Sequence, residues 1–368
     1  MNPKVAKRES NIELFRIICM FAITLGHLIL HTGALESSSF YIRLWAQFLG
    51  GYSKMGVNGF VMITAWFMCS KQVKLRKVYD LYKNIWWYSI FLGMLGMIFM
   101  PERITLDALV RTFLPFSSNH WWFVSTYIAM MLLAPGMNLL LEKATKKQML
   151  YLVLVGLTLF SLIPTFTTLT TFVKDLPWFC YLYLTVGFIK KYGSNFKLIN
   201  LMKKTWCWVL LFVLIYLSTV VFTIFEKIVP FLREGTNFFT GMYILPMAVG
   251  SMSIFLCFLR YRVSKSRIVN WLGGRTLTVY LIQSNVFFTV VLWEFMGRIM
   301  SSVSWSYPLA AILAAAVIEG LFLMLSVPIE GIRQLLEKWK PIRKINCKVY
   351  KLCEKVDRIF IKERSESQ

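Results

Sequence analysis

Residues 13–31 read ELFRIICMFAITLGHLILH, an apolar run long enough to cross a bilayer that nevertheless carries Arg16 and His27. An ionisable group inside a membrane helix is costly, so each is a candidate functional residue by default. Helical rise sets the two about 16 Å apart along the axis, around half the hydrocarbon thickness. The step is close to three whole turns, so both side chains leave nearly the same face. A fixed cation near one end, with an imidazole deeper on the same stripe, suits a two-ended ligand: an anionic carrier at Arg16 and its reactive end beside a base. Glu13, three residues before Arg16, either pairs with it along the helix or positions it for that ligand.

The rest of the chain has the same solvent preference. Of 368 residues, 57% are hydrophobic and only 16% charged, the balance of a polytopic membrane protein. The formal charge of +23 does not indicate a nucleic-acid groove, because the positive residues fall between apolar runs rather than along one soluble face. Ten such runs are predicted to span: 12–31, 50–70, 79–100, 121–141, 148–169, 177–190, 205–225, 238–259, 276–296 and 307–329. The expected fold is therefore an all-α bundle of about ten transmembrane helices.

Orientation follows from the Lys and Arg distribution. Alternate loops hold Lys4, Lys7 and Arg8, then Lys71, Lys74, Arg76 and Lys77, then Lys143, Lys146 and Lys147. The same side continues with Lys190, Lys191, Lys197, Lys203 and Lys204, with Arg260, Arg262, Lys265, Arg267 and Arg275, and with a basic tail. The opposite loops carry only Arg43, Arg103, Arg111, Lys174, Lys227, Arg233 and Arg298. Both termini are thus expected in the cytoplasm, with residues 1–329 as the membrane unit and 330–368 as a cytoplasmic tail. In that tail Ile345, Val349, Leu352, Val356 and Ile359 recur at helical spacing among Lys and Arg, the pattern of a helix on an anionic leaflet; short coiled-coil pairing is the other reading. The basic start and apolar run resemble a signal peptide, but the run is long and no small-residue cleavage site follows, so it is read as a retained helix. The seven cysteines show neither a disulfide framework nor metal-knuckle spacing.

Several polar residues stand out within the apolar runs. His27 and His31 share a helix face, but the segment lacks the glutamate of a zincin and the remaining histidine, His120, is far away in sequence, so no metal is expected. Lys54 and Asn58 lie one turn apart at a depth similar to His27; Lys54 either snorkels to the interface or faces a ligand. Trp122 belongs to an aromatic cluster at a span boundary, suited to an interfacial belt or to stacking on a sugar ring. Glu319 lies mid-span, either paired with another helix or kept protonated by desolvation, and is read as structural.

Taken together, these segments resemble the acyltransferase-3 family of integral-membrane O-acyltransferases that modify surface carbohydrates. The resemblance rests on Arg16, ten residues, then His27; on Lys54-Met-Gly-Val-Asn58-x-Phe60; on Trp122-Phe123, Tyr127, Pro135 and Asn138; and on Thr276-x-x-x-Tyr280-Leu-Ile-Gln283. Thr64, Ala65 and Trp66 stand where the polysaccharide-acetylating branch usually has Ser-Gly-Tyr, and Gln283 stands where a histidine is common. Because Gln does not titrate, the resemblance leaves His27 as the base.

What the resemblance implies is acyl transfer from a cytoplasmic acyl-CoA, acetyl-CoA by default, to a hydroxyl of a surface or exported polysaccharide, at the cell (plasma or inner) membrane. Arg16 and the cations Arg76, Lys77 and Lys83 would hold the donor's phosphates and nucleotide, and Lys54, Asn58, Trp122 and Tyr127 would face the acceptor. His27 would act as a general base or carry the acyl group itself, and Asn58, Lys54 or Tyr127 could steady the oxyanion. Membrane lipid is an expected partner and nucleic acid is not. The competing classes are a transporter or flippase, which would show inverted repeats, and a non-catalytic scaffold of an export complex, which the altered positions 64–66 and 283 would suit.

Overall fold

The chain folds as helices that pack around the segment carrying Arg16 and His27. The structure, a computed structural model, describes residues 9–51, 53–167, 173–196, 205–228, 241–261 and 263–366. Lys4, Lys7, Arg8, Lys197, Lys203, Lys204, Arg233 and Arg262, read above as orientation markers, lie outside these residues, as do the side chains of Lys227 and Ile359. The described residues form no strand.

In chain order the helices are α1 (Ser10–His31), α2 (Phe40–Gly50), α3 (Ser53–Met68), α4 (Leu75–Phe99), α5 (Leu106–Phe113), α6 (Trp122–Lys143) and α7 (Lys146–Phe166, with a π-helical turn at Thr158–Leu162). They continue as α8 (Asp175–Tyr192), α9 (Thr205–Ile228), α10 (Leu245–Arg260), α11 (Arg267–Gly273), α12 (Thr276–Gln283), α13 (Phe288–Ser301), α14 (Tyr307–Glu337) and α15 (Lys340–Glu366). Local chemistry sets several starts. Thr145 and Gln148 form a reciprocal capping box at α7, and the side chains of Thr105 and Ser266 accept the backbone N–H groups of Ala108 and Val269.

By length and apolar composition, α1, α6, α7 and α14 are sufficient to cross a membrane among the described residues. A fifth span exists if α11 to α13 count as one crossing bent by 89°. That bend corrects the expectation of one straight helix over 276–296. The helix stops at Gln283, and side chains take up the released backbone groups. Asn285 Oδ1 accepts from Phe287 N at 3.1 Å, Thr289 Oγ1 donates to Gln283 O at 2.8 Å, and His120 Nε2 accepts from Val286 N at 3.1 Å. The run expected at 50–70 is likewise shorter: α3 ends at Met68, and the apolar α2 precedes it across a break.

Helix α1 is the hub, packing against α3, α14, α11, α2, α12, α10 and α13. Its tightest neighbour is α3, which runs antiparallel to it. A Cβ at Gly56 would strike the Cys19 carbonyl and come within 2.9 Å of Ile23, so only glycine allows the two backbones to approach this closely. Ser53 packs directly against Gly26, which places Lys54 at the level of His27. All seven cysteines are free thiols.

Candidate active site

Because α1 and α3 are held so close, their cavity-facing residues share one space. A cavity of about 870 Å³ follows α1 from Arg16 through Met20 and Ile23 to His27, Leu30 and His31. From α3 it takes Lys54, Val57, Phe60 and Thr64; from α6 it takes Trp122, Phe123 and Tyr127. Gly273, Gly274, Thr276 and Leu277 close the Arg16 end, and Gln47, Gly241 and Tyr243 flank the His27 end. Such a volume lies in the range of cofactor and small-molecule sites.

Arg16 is partly exposed to this cavity, and its Nη1 lies 3.5 Å from the Glu13 carboxylate. Glu13 is buried behind it, in close contact with Gly273, where a Cβ would come within 2.6 Å of Glu13 Oε2. The start of α1 is fixed to the same region: Ser10 Oγ donates to Asn270 Oδ1 at 3.0 Å, and Asn11 Nδ2 donates to Phe258 O at 2.8 Å. Glu13 is therefore a positioning residue, holding the guanidinium at the cavity wall without lining the cavity itself.

His27 is half-buried, with its ring centroid 5.9 Å from that of His31 and 6.2 Å from that of Trp293, both edge-on. His31 in turn stacks on Trp293 at 5.4 Å. No described residue hydrogen-bonds to the His27 ring, so its nitrogens are available to a ligand. Lys54 reaches over the Trp122 ring, 5.6 Å from its centroid. Tyr127 shares a hydrogen bond of 2.5 Å with Thr64 Oγ1. Among the described residues no group of three or more His, Cys, Asp or Glu side chains is gathered as a metal site.

Four of the residues expected at the site lie elsewhere. Asn58 is fully buried in the helix seam, and its amide is used up: Nδ2 donates to Met242 O at 2.7 Å and to Ser251 Oγ at 3.2 Å, while Oδ1 accepts from Trp178 Nε1 at 2.9 Å. It does not line the cavity. Lys83 is paired with Glu337 at 2.8 Å and Asp80 at 3.6 Å and donates to the Tyr350 hydroxyl. Arg76 stacks on Tyr350 at 4.2 Å, and Lys77 is exposed without lining the cavity. Arg76 and Lys83 belong to the seam between α4 and α15, and Arg16 is the cavity's cation near the Gly273 end.

His120 is also structural. Its Nδ1 donates to Arg111 O at 3.0 Å while Nε2 accepts from Val286, a pairing that requires the neutral ring. Burial pushes its imidazole down to about 4, which preserves that role at neutral pH. Gln283 is fully buried, with neither side-chain amide atom hydrogen-bonded among the described residues. Glu319 is buried too, and its Oε1 has no hydrogen bond there. Of the cavity's walls, the Gly273-Gly274 turn, Gln47 and Tyr243 were not anticipated; the Gly-Gly pair ahead of Thr276 was the one available signal.

The model of the acyltransferase-3 family, an acyltransferase domain, matches residues 9–326. The chain belongs to that family. No curated protein and no solved structure matches it significantly. The matched stretch takes in every cavity-lining residue named above and stops within α14, ahead of α15. A membrane acyltransferase needs one chamber that admits both an acyl carrier and an acceptor; here the chamber has a cation at one end and an unengaged imidazole toward the other.

Proposed function

We propose that this acyltransferase moves an acetyl group from cytoplasmic acetyl-CoA to a hydroxyl of a surface or exported polysaccharide, with His27 as the base. The observation that carries the reading is that His27 and Arg16 line one cavity while no described residue hydrogen-bonds to the His27 ring. Arg16 holds phosphate of the donor, and the pantetheine arm lies along α1, whose rise between the two residues is about 16 Å. His27, neutral, takes the proton of the acceptor hydroxyl as its oxygen attacks the thioester carbonyl. The new C–O bond replaces the C–S bond, and CoA leaves as the thiol once the sulfur is protonated.

The topology that suits this exchange has about ten spans with both ends in the cytoplasm of the cell membrane, so that the Arg16 end faces the donor pool. The exposed Ile345 and Leu352 of α15, set among lysines and arginines, suit contact with anionic lipid.

The test is His27→Ala in the full chain at matched expression, read as O-acyl content of the host's surface glycan. Loss of a positioned base is expected to lower acylation about 100-fold or more. Unchanged acylation removes His27 as the base.

A further inference from the structure

The charges that line the cavity are one-sided. Arg16 stands near one end and Lys54 near the His27 end, and none of the described residues lining the cavity is Asp or Glu. Arg16 has a carboxylate neighbour in Glu13. Lys54 has none at that range: it belongs to no ion pair among the described residues, and Asp175 acts on it electrostatically from outside the cavity lining. An ammonium in a largely apolar chamber lacks the solvation that water would give it, and a ligand anion would supply the missing charge. Its position is informative as well. Lys54 lies over the face of Trp122, and an indole face is a surface on which a pyranose ring can stack.

Resting on the acyl-transfer reading given above, we propose that Lys54 and Trp122 form an acceptor subsite for an acidic sugar, one carrying a carboxylate or a phosphate. The ring lies against Trp122, its anionic group meets the Lys54 ammonium, and a ring hydroxyl is left toward His27. Lys54 is thereby a specificity-determining residue: it selects charged over neutral acceptors and leaves donor binding to Arg16.

The experiment uses the full chain in nanodiscs and measures affinity for methyl β-glucuronide, glucose 1-phosphate and methyl β-glucoside, with acetyl-CoA affinity measured on the same samples. At least one anionic sugar is expected to bind about tenfold more tightly than methyl β-glucoside, the scale of one charge-assisted contact. The stronger of the two identifies carboxylate or phosphate as the preferred group. Lys54→Met abolishes the preference, Lys54→Arg retains it, and neither changes acetyl-CoA affinity. Equal affinities, no binding of any of the three sugars, a preference that survives Lys54→Met, or a Lys54→Met protein that loses acetyl-CoA instead would each overturn the proposal. Selective sugar binding by a protein that does not bind acetyl-CoA would uphold the subsite and remove the acyl-transfer reading.

Discussion

Single residues divide between the cavity and the seams that support it. Asn58 shows why the two are easily confused: one turn from Lys54 on α3, it makes three buried hydrogen bonds that join α3 to α8, to α10 and to Met242, just before α10. Asn58→Leu leaves the indole N–H of Trp178 and the carbonyl of Met242 without this partner, each costing roughly 1–3 kcal/mol. The expected result is a lower unfolding midpoint in nanodiscs with acetyl-CoA affinity unchanged; selective loss of ligand affinity at full stability would return Asn58 to the site. Arg16 and His27 were legible in the sequence because a charge and an imidazole in an apolar run are expensive, and their spacing fixed a common face. Asn58 was not, because spacing along α3 does not say whether that face meets a cavity or another helix. The pairing of Thr64 with Tyr127 was equally hidden, since it joins residues on different helices.

Among whole elements, the contrast lies between α1 and α15. The apolar stripe of α15 is visible in the sequence, whereas the polar flank beside it gives no local sign of its partner. Asn346, Tyr350 and Asp357 recur at helical spacing and hydrogen-bond to Tyr79 (2.9 Å), Asp80 (2.7 Å) and the Leu75 backbone N–H (3.1 Å) of α4. This seam is what draws Arg76 and Lys83 away from the donor role read for them. Its partners are some 270 residues apart, beyond the reach of local pattern. Tyr350→Phe removes the hydrogen bond to Asp80, and about 1–2 kcal/mol of seam stability is expected to go with it. Limited proteolysis should then release residues after Trp339 several-fold faster while acyl transfer persists; unchanged cleavage would mean that the seam does not hold the tail. The break at Ser284 in the ninth apolar run was marked only by the polar Gln283, Ser284 and Asn285, and it depends on His120 arriving from a distant loop.

For the molecule as a whole, composition announced an all-helical membrane bundle, and the alternation of basic loops predicts its direction. The described helices that suffice by length and apolar composition are fewer than the apolar runs, because α3 and α10 have only 16 residues each and the ninth run is bent. Direction is open to a simple measurement: Cys347, exposed on α15, should react with a membrane-impermeant maleimide only after the cells are opened, in a chain whose other six cysteines are replaced. Labelling of intact cells would put the tail outside and reverse the donor's side. The anchoring of α1 adds a constraint of timing. Its opening residues are clamped by Phe258 and Asn270, which lie 247 and 260 positions further along. During synthesis α1 can pack against α2 and α3 early, but its end at residues 10–16 must wait for these late partners. The chamber cannot be finished until the late helices have been threaded in, because Gly273, Gly274, Thr276 and Leu277 close one of its ends.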